Sequence, residues 1–231
     1  MVVWIFAGGG ESEVEGLKPF FESNYPQHRF ERKLPERRKP GPKPTGQPGY
    51  GHTGRSLSAQ IVKRLRASLS RGDICDLILV IDDLDCQEIN QKIQYFTKAV
   101  DTISYVTPIP LHIGLASPEI EAWLIADWDN TFARDVDFRH CHNAMRHWLR
   151  TQQNVKFDNP EDFSEFSPDK NACAEKLSDA IIESTRKQDI SAKREYSKAI
   201  HTPRLLKQAD SQVISNKCPL YRQIHIKLSS I

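Results

Sequence analysis

The stretch Asp76-Leu77-Ile78-Leu79-Val80-Ile81-Asp82-Asp83-Leu84-Asp85 constrains this chain more than any other. Its consecutive apolar residues, without helical spacing, read as a strand buried on both faces, the kind found inside a parallel sheet. The run ends in carboxylates, and open α/β sheets gather ligands beyond the carboxyl ends of such strands. Asp83 and Asp85, two residues apart, suit Mg²⁺ or Mn²⁺, because hard divalent cations prefer clustered oxygens. The competing reading is an acidic strand-to-helix turn in which Asp85 caps the next helix.

The flanking segments repeat the strand-to-helix pattern. Apolar residues 2–6 precede Ala7-Gly8-Gly9-Gly10-Glu11, after which Val14, Leu17, Phe20 and Phe21 fall at helical spacing. Glycines let backbone approach a ligand closely, although neither a complete GxGxxG nor a P-loop ending is present. Glu13 and Glu15 suit a helix dipole, whereas Glu11, nearest the strand end, is either another first-turn acid or part of the site. Residues 28–32 form a candidate second strand. Leu57, Ile61, Leu65 and Leu69 predict a helix over 56–70 with Ser56 as N-cap. A further helix is expected over 87–103 and another parallel strand over 109–115. Ser117-Pro118-Glu119-Ile120-Glu121 then leads into a helix, which brings Glu119 and Glu121 to the sheet edge that carries Asp83 and Asp85. Farther on, a helix over 171–187 places Cys173, Leu177 and Ile181 inward. His140, His142 and His147 lack metal-ligand spacing and read as solvated helix residues.

Residues 35–54 are rich in Pro, Gly and basic side chains and read as an exposed loop. Arg37, Arg38, Lys39 and Lys43 there, with Arg55 next to it, could grip a phosphate backbone, with Tyr50 and His52 stacking on bases; the alternative is a solvated linker. A second basic group, including Lys193, Arg194, Lys198, His201, Arg204 and Lys207, either meets phosphate or faces water. The five cysteines are odd in number, widely spread and without a CxxC pair, which argues against a disulfide framework and against structural zinc. No apolar run approaches the roughly 20 residues of a membrane span. The opening strand also lacks the basic start of a signal peptide, so a cytoplasmic protein without a membrane partner is expected.

Three of these pieces, Ile5-Phe6-Ala7-Gly8-Gly9-Gly10-Glu11, Asp83-Leu84-Asp85 and Glu121-Ala122-Trp123-Leu124-Ile125-Ala126-Asp127, resemble the Toprim-like proteins in their order. That core places a Glu after the first strand and an Asp-x-Asp after a later one. With the tail from Tyr196-Ser197-Lys198 through Leu205-Leu206 to Cys218-Pro219-Leu220, the chain more narrowly resembles an uncharacterised bacterial family with that core, domain of unknown function 4276. The resemblance implies a Rossmann-like, mainly parallel α/β sheet over 1–130, flanked by helices, and a mostly helical C-terminal extension over 131–231. It implies Mg²⁺- or Mn²⁺-dependent phosphodiester hydrolysis of DNA or RNA, as in nucleases of the overcoming-lysogenization-defect type, and a place in phage defence beside an ATPase. Asp83 and Asp85 would be ligands, with Glu121 and Glu11 completing the catalytic and metal-binding set. The family's usual Glu before the glycines is replaced by Ala7, so either Glu11 substitutes for it or the protein is a catalytically degenerate binding module. Lys198 joins the arm as a candidate nucleic-acid contact.

Overall fold

The computed structural model describes residues 1–8, 11–34, 54–103 and 108–230, with the backbone alone for residues 11–14 and 54–55. Strands β1 (Val2–Ala7), β2 (Arg29–Leu34), β3 (Leu77–Asp83) and β4 (Leu111–Ala116) form a wholly parallel sheet in the order β2-β1-β3-β4. Helices α1 (Glu11–Asn24), α2 (Gly54–Leu69) and α3 (Ile89–Asp101) lie between successive strands. This is the expected α/β, Rossmann-like architecture. The chain passes to one side of β1 for β2 and to the other for β3, so the sheet reverses direction between β1 and β3. Ligands of open sheets bind at that reversal. Gly8 N–H donates to the Ile81 carbonyl at 2.7 Å, which holds the loop after β1 against the acidic end of β3.

Alternation along the strands sorts side chains onto two faces. Trp4, Phe6, Ile78 and Val80 pack against Leu57, Ile61 and Leu65 of α2 and Phe96 and Val100 of α3. Val3, Ile5, Leu77, Leu79 and Ile81 face α1 and the helices that follow the sheet. These are α4 (Glu121–Ala126), α5 (His142–Gln152), α6 (Leu177–Arg186), α7 (Lys198–Leu206), α8 (Ser211–Lys217) and α9 (Pro219–Ser229). A single apolar cluster thus joins residues on both sides of position 130. Every residue of α4 is buried, as a helix apolar all round must be.

Gly16 permits the close approach of α1 to α7, since a Cβ there would lie 2.7 Å from the Pro203 Cα. Gly16→Ala gains about 1 kcal/mol of helix propensity, but it pushes on backbone that cannot yield, and overpacking costs about 1–3 kcal/mol or more. A net loss of stability is expected in chemical denaturation. A variant as stable as the wild type would contradict this packing.

The structure departs from expectation in three places. The helix expected over 171–187 is only Leu177–Arg186, because Ala172–Cys173 (β6) pairs antiparallel with Phe166–Ser167 (β5). Cys173 forms a disulfide with Cys86, contrary to the argument from cysteine number; the partners stand 87 residues apart, where no local spacing can reveal them. The backbone of α2 begins at Gly54, so Ser56 lies inside the helix and is not its cap. Among the described residues, no helix is long and apolar enough to cross a membrane.

A 3-10 turn at Pro160–Asp162 ties α9 to the rest: Glu161 accepts from Leu220 N–H at 2.9 Å and Tyr221 N–H at 3.3 Å. Burial pushes the Glu161 carboxyl up to about 7 from its ordinary 4.5. The folded state therefore holds a proton that the unfolded chain releases near 4.5. The associated stability is complete below that pH and is lost as pH rises through 7. The shift corresponds to roughly 3 kcal/mol at most. Between pH 5 and 8 the wild type should lose stability, and Glu161→Gln should lose less over that range; equal losses of unfolding free energy by the two proteins in urea titrations would refute the assignment.

Candidate functional site

Alternation at the end of β3 sends its acids in different directions. Asp82 follows Ile78 and Val80 toward α3, where Lys92 Nζ lies 3.1 Å from Asp82 Oδ2 and also donates to the Asp83 carbonyl. Lys92 occupies the buried stripe of α3 that continues through Phe96 and Val100, so one cation on an apolar face is aimed at the strand end. Asp83 faces the opposite side, and its Oδ1 accepts the Ile120 N–H at 3.0 Å. Leu84 N–H donates to Ala116 O at 2.7 Å and Asp85 N–H to Pro118 O at 3.0 Å. The segments leaving β3 and β4 are thereby laced together.

Asp85 and Cys86 both adopt left-handed backbone, with φ of 52° and 57°. Such conformations cost a non-glycine residue about 1–3 kcal/mol and persist where surrounding structure imposes them. Here the Cys86–Cys173 disulfide fastens the turn to β6. The cap of α3 is Glu88, whose carboxylate accepts from Asn90 N–H at 3.0 Å and Gln91 N–H at 2.6 Å. The capping reading of Asp85 is thereby removed. Among the described residues its half-buried carboxylate has no side-chain hydrogen bond and no ion pair. Burial raises the Asp85 carboxyl above its ordinary value and the charge of Glu119 adds to this, while Lys92, Lys176 and Lys198 act in the other direction.

Across the rim, Lys198 of α7 bridges two acids, with Nζ 2.9 Å from Glu119 Oε2 and 3.0 Å from Glu121 Oε2. Glu119 also accepts from the Ser178 backbone and hydroxyl. Glu121, at the start of the enclosed α4, is fully buried and needs polar partners there. It receives the Tyr196 hydroxyl at 3.1 Å and the Thr202 hydroxyl at 2.9 Å. Burial pushes the Glu121 carboxyl up, opposed by Lys198. Burial and the adjacent Glu121 hold the Tyr196 phenol well above its ordinary range, so it remains a donor.

The acids expected to converge do so in backbone terms, but they fall into two kinds. Asp83 and Asp85 stand half-buried at the rim. Glu121, expected as a ligand, turns a carboxylate with three protein donors away from solvent, because the helix that carries it is enclosed on every side. Its geometry is that of a residue positioning Lys198. The side chains of Glu11 and Arg55 lie outside the described residues, as do Arg37, Arg38, Lys39, Lys43, Tyr50 and His52 entirely. Among the described residues, no three His, Cys, Asp or Glu side chains are grouped to hold a metal ion. The second basic group is divided: Arg204 binds Asp135 and Asp137, each at 2.7 Å, and His201 is buried, whereas Lys193, Arg194 and Lys207 are exposed. Lys92, Ser178 and Thr202 entered the site unforeseen; only Lys92 had a sequence signal, as a charge on an apolar helical stripe.

Asp83 and Asp85 supply oxygen donors of the type that hard divalent cations take. Lys92 already engages Asp82, and Lys198 engages Glu119 and Glu121, which leaves Asp83 and Asp85 as the rim carboxylates for an ion. Asp85 carries a desolvated carboxylate with no ion pair among the described residues, which a bound cation would compensate. The family model described as Domain of unknown function (DUF4276) matches residues 17–229. No curated protein matches the chain, and no solved structure matches it.

Proposed function

This chain belongs to the DUF4276 family, and we propose that it is a divalent-metal-dependent nuclease on a Toprim-like core, hydrolysing phosphodiester bonds of DNA or RNA. The observation that carries the reading is Asp85: a desolvated acid beside Asp83 at the reversal point of the sheet, relieved of any capping duty by Glu88. Asp83 and Asp85 would hold Mg²⁺ or Mn²⁺, and the bound ion would activate water and stabilise charge on the phosphoryl group. The protein's own residues divide the remaining work. Lys92 neutralises Asp82 and fixes the Asp83 backbone. Glu119 and Glu121 hold the Lys198 ammonium near Asp85, where it can meet a substrate phosphate. Glu11 would take the proton-handling place of the missing family Glu, and the arm with Arg37, Arg38, Lys39, Lys43 and Arg55 would grip the strand. In the setting implied by the family resemblance, the nuclease acts in phage defence beside an ATPase, in the cytoplasm.

A second reading, a binding module without turnover, draws support from Ala7 and from the ion pairs that already engage Glu119 and Glu121. Labelled DNA and RNA incubated with Mg²⁺, Mn²⁺ or EDTA separate the two. The nuclease reading predicts cleavage by the wild type, absent in EDTA and in Asp83→Ala and Asp85→Ala. Equal cleavage by all three proteins would remove these acids from the chemistry, and binding that persists through both substitutions without any cleavage would establish the module.

A further inference from the structure

The turn that carries Asp85 opens directly onto a cleft of about 1010 Å³, lined among the described residues by Cys86, Gln87, Glu88, Gln91, Lys92, Tyr95, Phe166 and Asn171. Glu88, Gln91, Lys92 and Tyr95 recur at helical spacing, so one wall is a single face of the first turns of α3. The other wall is the β5–β6 hairpin, where Phe166 pairs with Cys173 and Asn171 occupies the connecting turn. The disulfide closes the base, since Cys86 follows Asp85 and Cys173 lies in the hairpin. Cleft and carboxylate turn are therefore one covalent unit.

The lining selects a class of ligand. It is a poor phosphate site: Lys92 is its one cation among the described residues and already faces Asp82, and Glu88 adds a negative charge. It is a poor site for a purely apolar group, because Gln87, Gln91 and Asn171 contribute three amides, none of which makes a side-chain hydrogen bond among the described residues. Amides donate and accept at once, as base edges require. Two aromatic rings complete it, Tyr95 at 37% and Phe166 at 43% exposure, large side chains that a core would have enclosed. The Tyr95 hydroxyl is anchored to the Ser58 hydroxyl at 2.6 Å, which sets the orientation of its ring. An uncharged, planar, hydrogen-bonding ligand matches this combination.

We propose that the cleft between α3 and the β5–β6 hairpin is a nucleobase-binding subsite, in which an unstacked base of a single-stranded substrate stacks on Tyr95 or Phe166 and presents its edge to Gln87, Gln91 and Asn171. It rests on the nucleic-acid reading of the adjacent carboxylates and deepens it: the enzyme engages a base next to the bond that it cleaves, and single strands are its substrate class.

The test is fluorescence anisotropy in EDTA, with a labelled single-stranded DNA 12-mer, its RNA counterpart and an abasic oligomer of equal length. Base stacking on an aromatic side chain, by alanine substitution, corresponds to roughly a fivefold to hundredfold change in affinity. The wild type should bind a base-bearing strand more tightly than the abasic one by that order. Tyr95→Ala and Phe166→Ala should bring the affinities for base-bearing and abasic strands together, and Tyr95→Phe, which keeps the ring, should retain the preference. Phe166 is exposed enough for its substitution to leave folding intact, which guards against a misfolded Tyr95 variant. Equal affinity of the wild type for base-bearing and abasic strands, or an undiminished preference in both alanine variants, overturns the subsite. Base-dependent binding without metal-dependent cleavage keeps the subsite and overturns the nuclease. Cleavage with no base preference does the reverse, and no binding of any oligonucleotide in EDTA overturns the subsite while the cleavage assay decides the nuclease.

Discussion

Asp85→Asn is expected to lower metal-dependent cleavage on the order of 10²- to 10³-fold, the range seen when one electrostatic group is removed from a reacting centre, while leaving stability nearly unchanged or slightly higher. The two halves of that expectation have one cause. The Asp85 carboxylate is raised by burial and has no side-chain hydrogen bond or ion pair among the described residues, so the folded chain gains little from its charge. Asp83→Ala should impair cleavage to a similar degree but behave differently in denaturation. Asp83 Oδ1 holds the buried-side Ile120 N–H at 3.0 Å, and a bond lost there leaves a donor without its partner, at a cost of about 1–3 kcal/mol. Asp83→Asn, whose amide oxygen can still accept that N–H, should lose less stability. Two adjacent acids with matched losses of activity and unmatched losses of stability would separate chemistry from scaffolding. Asp85→Asn that unfolds the protein would assign the residue to structure instead.

Lys198→Met is expected to be the most destabilising single change at the rim, by about 1–3 kcal/mol, because it strands two buried acids, although the Lys198 side chain is itself 31% exposed. Two acids are stranded here, Glu119 and the fully buried Glu121. The diagnostic is a double substitution. Glu121→Gln in the Lys198→Met background removes one uncompensated charge while keeping an oxygen acceptor for the Tyr196 and Thr202 hydroxyls, so it should recover a measurable part of the lost stability. If the double variant is no more stable than Lys198→Met alone, charge compensation is not what Lys198 supplies. Lys198→Arg retains the charge and should be the mildest of the set.

Much of the fold was legible because burial leaves a periodic trace. The unbroken run 77–81 marks an interior strand, and Leu57, Ile61 and Leu65 mark the helix that covers one face of the sheet. The acids at the end of β3 were legible too, since strand ends in open sheets are where side chains leave the core. What failed had no local trace. The β5–β6 strands are two residues each, too short for alternation to register, and the Cys86–Cys173 bond joins distant segments. The placement of Glu121 was open to reading from composition: it begins Glu121-Ala122-Trp123-Leu124-Ile125-Ala126, a helix with no polar face, and an acid at such a position needs buried donors more readily than it offers oxygens to an ion. Those donors come from Tyr196, Lys198 and Thr202, some 75 to 81 residues onward, beyond the reach of any spacing rule.

The central claim, that Asp83 and Asp85 together hold a divalent cation at the reversal point of the sheet, is tested most directly by titrating Mn²⁺ into the full chain and following free Mn²⁺ by electron paramagnetic resonance. The account predicts saturable binding that Mg²⁺ competes away and that Asp83→Asn and Asp85→Asn each weaken by at least about tenfold, since even residues that only orient a ligand typically change metal affinity by that much. Absence of saturable binding in the wild type, or an affinity that neither substitution moves, would contradict it.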